Sequence, residues 1–352
     1  MSKKKHRIGI VGANWISAGH PGKPPVPFKN QIIDSHVACL SLMERVELVG
    51  ICDISTDMLS EFRNNWKDRW PNVKTYTDYK EMLSKEDLDI LTVATPEHLH
   101  TEITVDAANA GIKGIYCEKP LATSLQEADR MIEACENNDV VLIAGYTRRW
   151  RLLFNTVRDA IHGDAIGQLG TIVCSMGGDR ALLFRNGTHY LDAMCFFAES
   201  DPIKVFASLE EGFEDWDRYK GVGGMSQNDP GATGFVLFRN GVRGIYSCTK
   251  NGFMWPTLQL SGPKGQIFFS VNDRIAKLTT IGEGRNDYIK RTLVPNEYQV
   301  QAMVAAFEEL VDIIEDGGTS VSSAREGRKS VQIIEGFLKS QQAGGHLVDI
   351  PE

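Results

Sequence analysis

Residues 7–17, RIGIVGANWIS, set a short unbroken apolar run directly before a glycine turn and a helical start. Three runs of the same kind follow: ELVGICD at 47–53, DILTVAT at 89–95 and GIYCEK at 114–119. Runs without polar alternation are what strands buried on both faces require. Between them, residues 56–70, 78–83 and 99–110 carry helical spacing. TSLQEADRMIEACENN at 123–138 opens with Thr and Ser followed by Glu and Asp, the order of a capped helix. Strands alternating with helices mean right-handed βαβ crossovers and a parallel sheet.

The texture changes near residue 146. GTIVCSM, IKVFASLEE, TGFVLFRNG, VRGIYSCTKN, TLQLSG and QIFFSV are strand-like, and several are joined by tight turns rather than helices. Asn240-Gly241 between two of them signals a hairpin of type I′, in which both central residues take positive φ. The second half therefore reads as an α+β domain with a mostly antiparallel open sheet. Helical patterns at 298–316 and 323–341 either cover that sheet or return to the first domain. The expected division is 1–146 and 147–352, with a long loop over 212–231.

Composition bounds the function. The chain has 352 residues, 42% hydrophobic and 24% charged, so it builds a core without disulfides or metal. Its net charge is −8, and the basic residues Lys3, Lys4 and Lys5 form its one basic block, which argues against a nucleic-acid partner. Seven cysteines are scattered without zinc or disulfide spacing, the usage of a reducing compartment. The apolar run after MSKKKHR is too short for a signal peptide, and no stretch approaches the roughly 20 apolar residues that span a bilayer. A cytoplasmic protein is expected.

Gly12-Ala13-Asn14-Trp15-Ile16-Ser17 lies where a Rossmann dinucleotide-binding domain points the first N–H groups of a helix at a pyrophosphate. The fingerprint is incomplete, with Asn14 at the second glycine and Ser17 at the third. Asp53 closes the second strand, where a carboxylate accepts from ribose hydroxyls and repels the 2′-phosphate of NADP; a helix-capping aspartate is the alternative reading. Asp53 stands 41 residues after Gly12, well past the usual ~20, because of the Pro-rich insertion PGKPPVP at 21–27. The cofactor expected is NAD, with NADP left open.

Two motifs end the next strands: Thr95-Pro96-Glu97-His98-Leu99-His100 and Glu118-Lys119-Pro120-Leu121-Ala122. Both fall at strand carboxyl ends, the ligand side of an open α/β sheet. With HRIGIVGA, RRW at 148–150, GTHYLD at 187–192, FVLFRNGVRGIYS, LSGPKGQIFF and SAREGRKSVQIIEGFLKS, they resemble the glucose-fructose oxidoreductase, inositol dehydrogenase and rhizopine-catabolism family along nearly the whole chain. That resemblance implies an NAD(P)-binding domain, a second domain whose open sheet closes the active site, and hydride transfer between nicotinamide and a hydroxyl-bearing carbon of a sugar or polyol. By the same resemblance Lys119 is the catalytic lysine and His189 the catalytic histidine. Glu118 and Pro120 set the strand end beside the nicotinamide, His100 matches the family histidine, Arg149 matches a recurring arginine, and a homodimer or homotetramer is expected. One departure stands out: Arg185 occupies the place of the family's aspartate four residues before the histidine.

The chemistry fits those residue types. Removing a hydride from an alcohol carbon requires a base for the O–H proton and a cation beside the developing alkoxide. A histidine, with a reference pKa near 6.5, suits the first role, and a lysine ammonium the second. Asp192, one helical turn after His189, is expected to orient it. Arg148, Arg149 and Trp150 are expected to meet a sugar ring, an acidic substituent or a cofactor phosphate, although Arg148 reads equally well as the solvated start of a helix. Lys250 and Trp255 are placed near the pocket without a fixed role, and Trp66 and Trp70 as packing. On pattern alone, Lys119 as a strand cap and His189 as a core histidine are the plainer readings. His98 and His100 are too few for a metal site. An NAD-dependent sugar, glycoside or polyol dehydrogenase is the leading reading. A lyase or glycosidase recycling tightly held NAD through a keto-sugar comes second, and a non-catalytic sensor last.

Overall fold

The computed structural model describes residues 5–19, 35–179, 181–211, 229–253, 255–284, 287–295 and 301–350. The insertion at 21–27 and most of the expected loop at 212–231 lie outside the described residues. The chain divides into two units: residues 1–147 with 300–325, and residues 148–299 with 326–352. The expected second domain is therefore not one continuous stretch, because the segment 300–325 belongs with the first unit.

The first unit is a six-stranded parallel sheet. Its strands are β1 (His6–Val11), β2 (Val46–Cys52), β3 (Lys74–Tyr76), β4 (Ile90–Val93), β5 (Gly114–Cys117) and β6 (Val141–Ala144), in the spatial order β3-β2-β1-β4-β5-β6. Strand order reverses between β1 and β4, the switch point at which open α/β sheets bind ligands. β4 and β5 are buried at every position, as their unbroken apolar runs demand. The helices α1 (Trp15–Ala18), α2 (His36–Leu40), α3 (Thr56–Trp66), α4 (Tyr79–Lys85), α5 (His100–Asn109) and α6 (Leu125–Asn137) connect the strands. Ser55, Asp78 and Ser124 cap α3, α4 and α6 with their own side chains, accepting N–H groups that a bare helix end leaves unpaired. The returning helix α9 (Ala302–Asp316) sets Leu310 and Ile314 against Gly114, where a Cβ would come within 2.8 Å of both.

The second unit holds a nine-stranded sheet. Its strands are β7 (Thr171–Gly177), β8 (Pro202–Leu209), β9 (Ala232–Phe238), β10 (Arg243–Thr249), β11 (Thr257–Gly262), β12 (Gly265–Ser270), β13 (Ala276–Ile281), β14 (Tyr288–Leu293) and β15 (Val348–Asp349). Their order is β14-β13-β12-β11-β7-β10-β9-β8-β15, antiparallel throughout except for the parallel pair β7–β10. One face packs under α7 (Leu152–His162), α8 (Thr188–Ala198) and part of α10 (Ala324–Gln342) in one continuous apolar core. The β9–β10 hairpin forms as expected, but its turn does not. Gly241 N–H reaches Phe238 O and Phe238 N–H reaches Val242 O, leaving a three-residue loop in which Gly241 alone has positive φ. That is a type I turn closed by a glycine bulge, which spares Asn240 the left-handed conformation. Among the described residues, no helix is long and apolar enough to cross a membrane.

Candidate active site

The ends of β1, β2, β4 and β5 carry the candidate residues of the first unit. Gly12 has φ +96°, and a Cβ there would lie 2.6 Å from Ala94 O, so only glycine lets β1 turn against the end of β4. Asn14 fills the second glycine position with a structural duty. Its Oδ1 accepts from Ile16 N–H (3.0 Å) and Ser17 N–H (3.3 Å), and its Nδ2 donates to Ala94 O. Ser17 Oγ donates back to Gly12 O. The expectation that these helix-start amides face a pyrophosphate is thus corrected in detail: Asn14's own oxygen occupies them, and an anion would have to compete with it. Asp53 binds the same turn from the other side, its Oδ2 accepting from Ala13 N–H (2.7 Å) and its Oδ1 from Ser55 N–H (2.8 Å). A carboxylate has about four acceptor positions, so each oxygen keeps capacity for a ribose hydroxyl.

Four large apolar side chains stand open along these strand ends: Trp15, Ile16, Ile54 and Leu99, with Ile54 91% exposed. Exposed apolar groups gathered at a switch point are suited to flat heterocycles. Together with the glycine turn and Asp53, they make the site a fit for a dinucleotide. Ile54 and Leu99 escaped the sequence reading because a lone apolar residue after a strand carries no signal until the fold leaves it uncovered.

His100 proves to be a tie rather than a ligand. It is buried, with Nδ1 3.0 Å from Pro120 O and 3.3 Å from Leu121 O, and Nε2 3.0 Å from Thr95 O. It joins the loop after β4, where Thr95 and Pro96 lie, to the loop after β5. Its expected contact with cofactor is corrected on that ground, since both ring nitrogens face backbone carbonyls. Burial pulls its pKa down against the pull of those carbonyls.

Glu118 is also buried. Its Oε1 lies 3.1 Å from His36 Nε2, and its Oε2 accepts Lys119 N–H at 3.2 Å. Burial alone would raise this carboxyl, but the His36 hydrogen bond and the charges of His36 and Lys119 outweigh it and hold the group below the ordinary range. His36 in turn sets Nδ1 3.2 Å from Thr92 Oγ1 and packs edge-on against Tyr116 and Phe307. Sequence reasoning missed His36 because 82 residues separate it from Glu118. Lys119, half-buried, follows this anchored carboxylate at the strand end.

The second unit carries the remaining candidate residues. Arg149 is buried and pairs with Asp192 (Nη2–Oδ1 2.8 Å, Nε–Oδ1 2.9 Å) and with Glu326 (3.3 Å). Burial would lower its pKa, but the charge and hydrogen bond of Asp192 hold it firmly protonated. Two expectations are corrected here. Arg149 is engaged by carboxylates within its own unit rather than turned to a cofactor phosphate. Asp192 gives Oδ1 to Arg149, and its Oδ2 has no hydrogen-bond partner among the described residues, so it does not orient His189 through a hydrogen bond.

His189 is the second residue of α8, which follows a π-helical turn at Leu183–Gly187. Asp229, fully buried, accepts Phe184 N–H (2.9 Å) and Arg185 N–H (3.0 Å) and so pins that turn. A Cβ on Gly187 would collide with the Tyr246 hydroxyl. Arg185 is half-buried within the turn. Arg148 stacks over Tyr190, its guanidinium carbon 4.6 Å from the ring centroid, and Trp150 is half-buried in the same short turn. Lys250 N–H is held by Glu210, and Trp255 is exposed. Trp66 donates to Ala18 O as the packing residue it was expected to be.

The parallel sheet with its reversal point, the glycine turn and the strand-end aspartate define a dinucleotide-binding protein of the Rossmann class. Residues 6–146 match the sequence model of the oxidoreductase family with an NAD-binding Rossmann fold. The chain is 31% identical to myo-inositol 2-dehydrogenase of Thermotoga maritima over 162 residues, 46% of this chain and 42% of that protein. It is 23% identical to D-apiose dehydrogenase of Paraburkholderia graminis over 334 residues, 88% of this chain and 85% of that one. Among solved structures, a levoglucosan dehydrogenase in complex with NADH and L-sorbose aligns over 99% of this chain and all of the other, with a TM-score of 0.80 at 19% identity.

Proposed function

We propose that the protein oxidises a CH–OH carbon of a sugar, glycoside or cyclic polyol with NAD, and reduces the matching ketone in reverse. The observation that carries this reading is the end of β5, where buried Glu118, fixed by His36, sets Lys119 at the switch-point edge shared with Gly12 and Asp53. Gly12, Trp15, Ile16, Asp53, Thr95 and Pro96 hold the dinucleotide, with Asp53 selecting the unphosphorylated ribose. NAD, when bound, accepts the hydride. Lys119 binds the substrate oxygen through its ammonium and stabilises negative charge on it, and His189 takes the hydroxyl proton. Arg149 and Asp192 serve as a buried brace for the segment that carries Arg148 and Trp150.

The matches to inositol and D-apiose dehydrogenases support a sugar or polyol substrate over the recycling-lyase and sensor readings. The test is NADH absorbance with a panel of sugars, glycosides and inositols. Lys119→Ala is expected to lower kcat by at least about 10²-fold. Turnover near that of the parent protein would overturn the assignment.

The open face of the second sheet supports a homo-oligomer. Phe206, Phe235, Ile245, Val173, Gln259, Phe268 and Lys277 lie opposite one another across seven neighbouring strands, on the face away from the core. Phe206, Ile245 and Phe268 are exposed, a concentration of apolar surface that a second copy would cover. All seven cysteines are free and buried, which supports a reducing, cytoplasmic setting.

A further inference from the structure

Arg148 and Arg149 are neighbours in one turn, yet their surroundings differ completely. Arg149 has two carboxylates. Arg148 has none among the described residues. Its Nε and Nη1 are shut off from solvent without a hydrogen-bond partner, and its Nη2 has only a 3.5 Å contact with the Tyr190 hydroxyl. Tyr190 covers the flat face of the guanidinium at 4.6 Å and leaves its N–H edges unsatisfied. Burial drops this guanidinium to about 10, well under the ordinary arginine range; the charge of Arg151 adds to the drop, and those of Tyr190 and the Asp192 carboxylate only partly oppose it. The same turn carries a second buried donor without a partner among the described residues, Trp150 Nε1.

A buried cation without a direct ion-pair partner costs stability, and a ligand that supplies one would offset that cost. Arg148 stacks on the residue that follows His189, so the charge it lacks belongs beside the proton-accepting end of α8. A single guanidinium matches a monoanion with planar oxygens, which is a carboxylate. A phosphate dianion would call for a second cation, and Arg151 is turned away to the Val271 carbonyl.

We infer that Arg148 is a carboxylate subsite and that the substrate is a sugar acid, a uronate or aldonate, rather than a neutral sugar. This deepens the dehydrogenase reading and rests on it for the sugar nature of the ligand. Its decisive test, however, measures binding rather than turnover.

Calorimetry would compare D-glucuronate, D-galacturonate and D-gluconate with D-glucose, D-galactose and glucose 6-phosphate, on the NADH-loaded protein and on Arg148→Gln and Arg148→Lys. At least one acid is expected to bind about 30-fold or more tighter than its neutral parent. That preference should fall to within about threefold in Arg148→Gln and be partly kept in Arg148→Lys. Arg148→Gln should also melt at or above the temperature of the parent protein, since it removes an uncompensated buried charge; a structural arginine would give a lower Tm. No acid binding more tightly than its neutral parent, a preference that survives Arg148→Gln, or tighter binding of glucose 6-phosphate would each overturn the subsite. Arg148-dependent binding of an acid without NADH formation from NAD would keep the subsite and overturn the dehydrogenase reading. NADH formed from neutral polyols without acid preference would do the reverse.

Discussion

Lys119 and Glu118 are adjacent in sequence but differ in kind: the carboxylate is buried and fixed, and the lysine follows it half-buried at the strand end. The carboxylate's value lies in where it holds the backbone of Lys119, and His36 is what keeps it charged in the interior. Arg149 and Asp192 show the same division between bracing and chemistry. Their ion pair is almost wholly buried, so removing Asp192 leaves the buried guanidinium with the longer Glu326 contact alone. Asp192→Asn is expected to cost about 3 kcal/mol of stability, read from urea unfolding. Replacing both partners, as Arg149→Met with Asp192→Leu, should recover part of that loss, and a double-mutant cycle would measure the coupling. An Asp192→Asn protein of unchanged stability would show that the pair is no brace.

At the scale of elements, the loops after β1, β2, β4 and β5 act as one assembly because side chains bridge them. Asp53 links the loop after β2 to the glycine turn, and His100 links the loops after β4 and β5. Asp53→Ser removes the charge that repels a 2′-phosphate while keeping a short acceptor. We expect the ratio of NADPH to NADH affinity to rise at least about tenfold, measured by quenching of protein fluorescence. An unchanged ratio would mean that Asp53 serves the turn alone. His100 gives the assembly a pH dependence. Its folded pKa lies below its unfolded value, so its contribution to stability is present above about pH 6.5 and is lost as pH falls, when the unfolded chain takes up the proton more readily. Tm should therefore fall between pH 7 and pH 5. His100→Gln, less stable at pH 7, should show a flatter profile over the same interval. Glu118 sits below the ordinary carboxylate range, so its contribution is present above its unfolded value and disappears only at lower pH.

For the whole molecule, the apolar row across the second sheet sets the expected assembly. Its burial alternates strand by strand, with one face in the core and the other carrying Phe206, Ile245 and Phe268 outward. Light scattering after size exclusion should give a dimer or tetramer. Phe206→Glu with Ile245→Glu should shift it to a monomer without loss of helical or strand content by circular dichroism. A parent protein that is monomeric at micromolar concentration would remove the role assigned to this face.

The parallel sheet was legible in the sequence because strands buried on both faces must be apolar at every position, and each of the four quoted runs forms one. The positions of the Lys119 and His189 motifs, at the end of β5 and the start of α8, follow from the same local pattern. Other features were settled only by folding, through contacts between residues distant in sequence. His36 meets Glu118, Asp229 pins the π-helical turn, and the segment at 300–325 joins the first unit. The roles of Arg149, Asp192 and His100 changed on the same principle. Sequence spacing gives the type of a polar residue, but a buried polar group takes its function from the partner the tertiary structure brings to it. Local pattern determined the strands and the glycine turn. Which charges are compensated, and which one is left waiting for a ligand, was decided by packing.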